Sequence, residues 1–255
     1  MSDLTGLPRY ARNDDGWAKL CSLQKLLNKM TKLFAHRGFV TESHPENSVA
    51  SLKEAVAQGF NAIEFDLWYA ARRLVLKHDQ PKEEEAEILP DLEDYLVYKN
   101  DLTYWLDFKN IDDENCAKVL LLAKSEIESA DVKLDQIYFA PFITDLQKAE
   151  KVFTRIRNIF GYKTKVVAVC ESLKSEKDVQ DLRDFLDRNN VKCLSIFHQL
   201  LSKNSMQILS GIEIFAWTVN DLQRIRDLES LGVTNFATDK ITPQIYAGKI
   251  TSRTS

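Results

Sequence analysis

From Lys32 onward, short apolar runs alternate with longer segments whose apolar residues recur every three or four positions. The short runs fit buried strands and the three-four spacing fits the inner face of a helix, so the alternation predicts βα units around a parallel sheet. The predicted strands are residues 33–37, 62–68, 103–109, 136–140, 165–170, 192–197, 213–219 and 235–238. Between them the helical segments are 48–58, 91–98, 113–130, 144–158, 176–189, 199–209 and 222–231, with a last one at 241–246. A further run, 73–77, follows the second strand too closely for a helix to intervene and reads as a hairpin extension at the mouth of a barrel. Eight strands with seven connecting helices suit a closed (β/α)8 TIM barrel; an open doubly wound sheet is the alternative topology.

Ahead of the first strand, Trp17, Leu20, Leu23, Leu27 and Met30 share one helical face, which predicts a helix packed on the bottom or side of the barrel. The resulting organisation is an N-terminal extension with a helix (1–31), a single barrel (32–250) and a tail (251–255). The adjacent charges of Glu83, Glu84 and Glu85 repel one another and predict a solvated loop.

Composition narrows the class. A chain of 255 residues, 44% of them apolar, supports one large core of the usual barrel size, about 250 residues. With 34 basic and 38 acidic residues the net charge is -4, so there is no general positive field to attract nucleic acid, and anions must be bound at a local site. The cysteines Cys21, Cys116, Cys170 and Cys193 lie far apart, which fits reduced thiols in the cytoplasm. The first residues lack an apolar signal core and no run approaches about 18 apolar residues, so neither a signal peptide nor stable membrane insertion is expected. The oligomeric state is left open.

In a barrel, chemistry collects where strands end at the C-terminal face. Four such ends are polar: Ala35-His36-Arg37-Gly38, Ile63-Glu64-Phe65-Asp66, Leu76-Lys77-His78-Asp79 and Leu106-Asp107-Phe108-Lys109. Glu64 and Asp66, two apart on a strand, point to one face, as do Asp107 and Lys109. Carboxylates sharing a buried location require a compensating cation, and one hard divalent ion, Mg2+ or Ca2+, supplies it through oxygen ligands. Arg37 and Lys109 would then neutralise a phosphate. Of the four histidines, His36 and His78 fall at strand ends flanking this group and suit acid/base work; His44 and His198 read as structural.

The run His36-Arg37-Gly38, Pro45-Glu46-Asn47-Ser48, Ala55, Gly59, Ile63-Glu64-Phe65-Asp66 and Leu74-Val75-Leu76-Lys77-His78-Asp79 resembles the glycerophosphodiester phosphodiesterases. Leu89-Pro90-Asp91-Leu92, Ala216-Trp217-Thr218-Val219-Asn220 and Thr238-Asp239 extend the resemblance over nearly all of 33–246. It implies hydrolysis of a glycerol-linked phosphodiester, a small-molecule substrate of lipid metabolism, to an alcohol and a glycerol phosphate. His36 and His78 would be the acid/base pair and Glu64, Asp66 and Asp107 the metal ligands. Arg37 and Lys109 would hold the phosphate, Glu46 would buttress the first-strand loop or lie close to the metal, and Trp217 would line the mouth where the alcohol sits.

Two departures stand out. Asp107 occupies the place of the family's usual glutamate and is shorter by a methylene. Only residues 80–88 stand where the family usually inserts a subdomain of several dozen residues that roofs the site. An open cleft would admit larger substrates, so a lysophospholipase D-like phosphodiesterase is one alternative, although the cysteine-stapled loop of the spider-venom phospholipase D branch is absent. A barrel that binds phosphorylated ligands without cleaving them is another. A Schiff-base role for Lys109 is disfavoured, because three neighbouring carboxylates would keep it charged.

Overall fold

The computed structural model describes residues 31–98 and 102–248; the predicted helix over Trp17–Met30 and the tail 251–255 lie outside these residues. Nine strands follow one another as β1 (Lys32–His36), β2 (Ala62–Ala70), β3 (Arg73–Leu76), β4 (Thr103–Phe108), β5 (Ile137–Pro141), β6 (Lys165–Cys170), β7 (Cys193–Phe197), β8 (Glu213–Trp217) and β9 (Asn235–Thr238). Eight of them run parallel in the ring β1-β2-β4-β5-β6-β7-β8-β9. The ring closes because β1 pairs with both β2 and β9. This closure makes the (β/α)8 barrel and excludes the open doubly wound sheet. The remaining strand, β3, runs antiparallel to β2 as the predicted hairpin, with Ala70 opposite Arg73 and Leu67 opposite Leu76.

Helices α1 (Val49–Ala57), α4 (Cys116–Ser129), α5 (Leu146–Phe160), α6 (Glu176–Arg188), α7 (Lys203–Ile208) and α8 (Leu222–Ser230) surround the ring, with short turns α2 (Glu83–Ala86), α3 (Leu92–Leu96) and α9 (Pro243–Tyr246). Local chemistry sets their starts. Ser48, Asp91, Asp145, Ser175, Ser202, Asp221 and Thr242 each accept a backbone N–H of the first helical turn.

Two expectations are corrected here. The acidic run is a helical turn and not a loop: Glu85 accepts from the Lys82 N–H at 3.1 Å, and Ala86 is fully buried. Carboxylates are favoured at a helix N-terminus, which outweighs repulsion between solvated neighbours. The segment predicted as a helix from 199 begins only at Lys203, because a single 3-10 turn, His198–Leu200, leaves β7 before Ser202 caps α7.

Alternation along the strands separates two cores. Phe34, Ala62, Trp105, Tyr138, Val167 and Phe215 fill the lumen, whereas Leu33, Ile63, Leu106, Phe139, Leu194 and Phe236 pack outward among the helices. In the lumen Trp105 meets Phe34 edge-on at 5.6 Å and Phe215 at 5.2 Å. The lumen series continue upward into polar side chains: Phe34 to His36, Ala62 to Glu64 and Asp66, Trp105 to Asp107. An aromatic girdle thus forms the floor on which the polar groups stand.

The turn leaving β1 is the tightest of these connections. Arg37 (φ 58°) and Gly38 (φ 81°) both lie in the left-handed region, and a Cβ on Gly38 would stand 2.4 Å from Ser51 Oγ and 2.8 Å from the Ser51 carbonyl carbon. The Gly38→Ala variant should therefore lose about 2 kcal/mol or more of stability, from left-handed strain plus a contact the α1 backbone cannot relieve. Denaturant unfolding measures this, and a loss below about 0.5 kcal/mol would contradict the argument.

Candidate active site

One pocket at the C-terminal end of the barrel is lined by His36, Arg37, Glu64, Asp66, His78, Asp107, Lys109 and Trp217, together with Trp105, Phe142, Glu171, Ser195 and Ala237. The two histidines, the three carboxylates and both cations singled out in the sequence therefore share one cavity. Glu46 stands at its rim and does not line it. His44 pairs with Thr41 Oγ1 at 2.9 Å on an exposed loop, and His198 packs under Arg224.

Strand register gathers the carboxylates. Asp66 lies opposite Asp107 across the β2–β4 ladder, and Glu64 stands two residues below Asp66 on the same face. Glu64, Asp66 and Asp107 are all buried, and an oxygen from each lies within 4.8 Å of the others. Lys109 Nζ reaches Asp66 Oδ1 at 2.8 Å and Asp107 Oδ2 at 2.6 Å, while Arg37 Nε approaches Asp66 Oδ2 at 3.1 Å. Three carboxylates thus face two permanent cations. Burial raises the Glu64 pKa, helped by the charges of Asp66 and Asp107 and opposed by His36. Burial likewise raises the Asp107 pKa against the attraction of Lys109. For Lys109, desolvation is outweighed by Asp107 and then Asp66, so its pKa rises and it stays charged.

The residues fit a divalent ion. Asp107 Oδ1 is buried with no hydrogen-bond partner, an oxygen left over in a cluster already short of positive charge. An oxygen-only donor set of this kind suits a hard cation. Asp107, despite its shorter side chain, belongs to the cluster.

The loop after β1 holds the rest. The Arg37 N–H donates to Glu64 Oε2 at 3.0 Å, and Arg37 Nη1 donates to Glu46 Oε2 at 2.8 Å. Glu46 therefore steadies the guanidinium from outside. Asn47, itself left-handed at φ 53° and buried, donates from Nδ2 to Asp66 Oδ2 at 2.8 Å and accepts the Asp66 N–H at 3.1 Å. Its amide thus holds Asp66 through both its carboxylate and its backbone N–H.

His36 is oriented by Asp239, whose Oδ1 lies 2.7 Å from Nδ1, leaving Nε2 on the side of Glu64 at 3.8 Å. Asn220 Nδ2 in turn donates to Asp239 Oδ2 at 2.8 Å. Desolvation would lower the His36 pKa, but the Glu64 charge and then Asp239 outweigh it and the net shift is upward. His78 Nδ1 lies 3.0 Å from Asp79, and the backbone carbonyl of His78 is held by Trp68 Nε1 at 3.2 Å. Sequence reasoning did not single out Asn47, Asp239, Asn220 or Ser195. Asn47 was visible inside Pro45-Glu46-Asn47-Ser48, and Asp239 inside Thr238-Asp239, immediately after the end of β9.

The glycerophosphoryl diester phosphodiesterase family model matches residues 36–80, the stretch from the first histidine past the second. No curated protein matches the chain. Among solved structures, a glycerophosphodiester phosphodiesterase from Parabacteroides distasonis is 20% identical, with a TM-score of 0.67, covering 86% of this chain and 98% of that one. An Oleispira antarctica phosphodiesterase, solved in complex with the product sn-glycerol-3-phosphate, is 16% identical at a TM-score of 0.68, covering 88% and 98%. A glycerophosphodiester phosphodiesterase from Agrobacterium tumefaciens is 18% identical at 0.62, covering 86% and 98%. At these identities the likeness establishes a shared barrel.

The raised carboxyl pKa values carry a stability signature. A group whose pKa is raised by folding favours the folded chain below its unfolded pKa, 3.8 for Asp107 and 4.5 for Glu64, and loses that contribution as pH rises through the folded values of about 6 and about 8. Chelator-treated protein should therefore lose Tm between about pH 5 and pH 8.5. Added Mg2+ or Ca2+ should restore more Tm at the upper end, since the ligands must be ionised to bind. Calorimetric scans with and without metal check this, and a metal-induced shift of equal size at both pH values would contradict the assignment.

Proposed function

We infer that this chain belongs to the glycerophosphodiester phosphodiesterase family and, as a phosphoric diester hydrolase, hydrolyses a glycerol-linked phosphodiester to an alcohol and a glycerol phosphate with the help of one divalent cation. The observation that carries the reading is the cavity itself. Buried Glu64, Asp66 and Asp107 share it with two imidazoles and two cations, and Asp107 Oδ1 lacks a partner.

In this reading Glu64, Asp66 and Asp107 hold Mg2+ or Ca2+, which supplies Lewis-acid polarisation of the phosphoryl group. Arg37 and Lys109 bind the non-bridging phosphoryl oxygens; their charge is retained in the site because buried carboxylates flank both. His36 and His78 divide the proton traffic. One takes a proton from the attacking oxygen and the other gives one to the departing alkoxide. Asp239 keeps the Nδ1 proton of His36 in place, so that Nε2 is the atom that exchanges protons with substrate. Glu46 acts on the substrate through Arg37, and Trp217 walls the place of the organic moiety. A cytoplasmic site of action is part of the proposal, supported by the buried thiols of Cys116 and Cys170. No described helix is long and apolar enough to cross a membrane.

One observation favours a larger substrate as a second reading. The segment between Asp79 and Leu89 holds only the single turn α2, and the His78 side chain is 40% exposed. An open mouth of this kind suits a lysophospholipid head group, as in a lysophospholipase D-like phosphodiesterase.

His36→Ala and His78→Ala should each lower kcat by about 10^2 to 10^4 while the metal-induced rise in Tm persists. Chelator should remove turnover of glycerophosphodiesters and readded Mg2+ or Ca2+ restore it. Release of glycerol phosphate from glycerophosphodiesters, compared with lysophospholipids, reads both. Binding without product in every case would leave a non-catalytic phosphate-binding barrel.

A further inference from the structure

Around the barrel ring β7 lies four strands from β2 in either direction, so its lumen side chains face the carboxylate cluster across the pocket. Ser195 is one of them. Cys193 below it belongs to the lumen core, and Ser195 follows at the next inward position, level with Phe215 of β8. Ser195 is only 3% exposed, and that residual surface opens into the pocket. Its hydroxyl makes no hydrogen bond to any described residue. Its Oγ is open to the cavity and not sealed in the core, so it is free to meet a group that enters there. Ser195 presents its donor and acceptor to whatever fills the cavity.

The surroundings say which part of the substrate that is. The groups suited to phosphate charge, Arg37 and Lys109, stand on the β1–β4 side. The β6–β9 side of the pocket, where Ser195 lies, is also lined by Trp217, Ala237 and the exposed Glu171 just after β6. An uncharged hydroxyl, an aromatic face and a hydrogen-bond acceptor suit a polyol and give a phosphate no added charge compensation. Resting on the phosphodiesterase reading above, the geometry points to Ser195 as a substrate-contacting residue whose hydroxyl binds a hydroxyl of the glycerol moiety, with Glu171 accepting from a neighbouring one.

The test is calorimetric binding to metal-loaded protein, with sn-glycerol 3-phosphate and inorganic phosphate as separate probes, for the wild type and for Ser195→Ala. Loss of one net hydrogen bond should weaken glycerol 3-phosphate by about tenfold and leave inorganic phosphate within about twofold. The Tm of Ser195→Ala should equal or exceed that of the wild type, because the lost hydroxyl had no partner in the fold. Equal weakening of both probes would move the hydroxyl to the phosphoryl group and overturn the assignment, as would unchanged affinity for both. In those two outcomes the phosphodiesterase reading stands. Wild-type protein that binds neither probe and turns over no glycerophosphodiester would overturn both.

Discussion

Three carboxylates buried together form the constraint around which the rest of this molecule is arranged. In water Glu64, Asp66 and Asp107 would repel one another weakly; inside the barrel, near oxygens within 4.8 Å, their mutual repulsion and lost hydration are both large. Every adjacent feature answers that problem. Lys109 bridges two of the acids, Arg37 approaches one through its side chain and donates its backbone N–H to another, and the Asn47 amide clamps Asp66. What these contacts leave unanswered, the excess of negative charge and the unpartnered Asp107 oxygen, is a demand that a divalent ion would meet. A site that is under-neutralised without metal also gains affinity for metal, so the local electrostatic cost of the apo fold and the chemistry of the loaded one are linked.

The aromatic floor matters for the same reason. Trp105, Phe34 and Phe215 close the lumen beneath the acids with edge-to-face contacts, which keeps water from reaching the carboxylates from below. The low dielectric that results strengthens every charge-assisted contact above it. It also confines access to one end, where the short α2 turn leaves the mouth open.

Periodicity made most of the barrel legible, because a parallel strand buried on both faces is an apolar run and each helix shows its inner stripe. The strands 165–170 and 235–238 stand at their predicted bounds. The acidic turn at Glu83 escaped because capping is decided by backbone groups that composition does not display. In the site, spacing alone put Glu64 with Asp66 and Asp107 with Lys109, since residues two apart on a strand share a face. The roles of Asp239 and Ser195 were hidden for a different reason. Asp239 matters only because it meets His36, 203 residues away, and Ser195 only because its hydroxyl finds no partner. Neither fact exists until the chain is folded.

The contact between Asp239 and His36 also joins closure to chemistry. β1 and β9 are the two ends of the ring, and the ladder that zips them sets Ala35 beside Thr238. The next residues are His36, the last of β1, and Asp239, immediately after β9, so the imidazole is oriented at the seam itself. The cluster of acids depends on a different ladder, β2 with β4, which forms between strands close in sequence. Partial opening at the seam would thus leave the carboxylates gathered while the histidine lost its carboxylate partner. In the proposed reading metal binding and proton transfer rest on separable parts of one barrel, and the C-terminal seam is the one that orients His36.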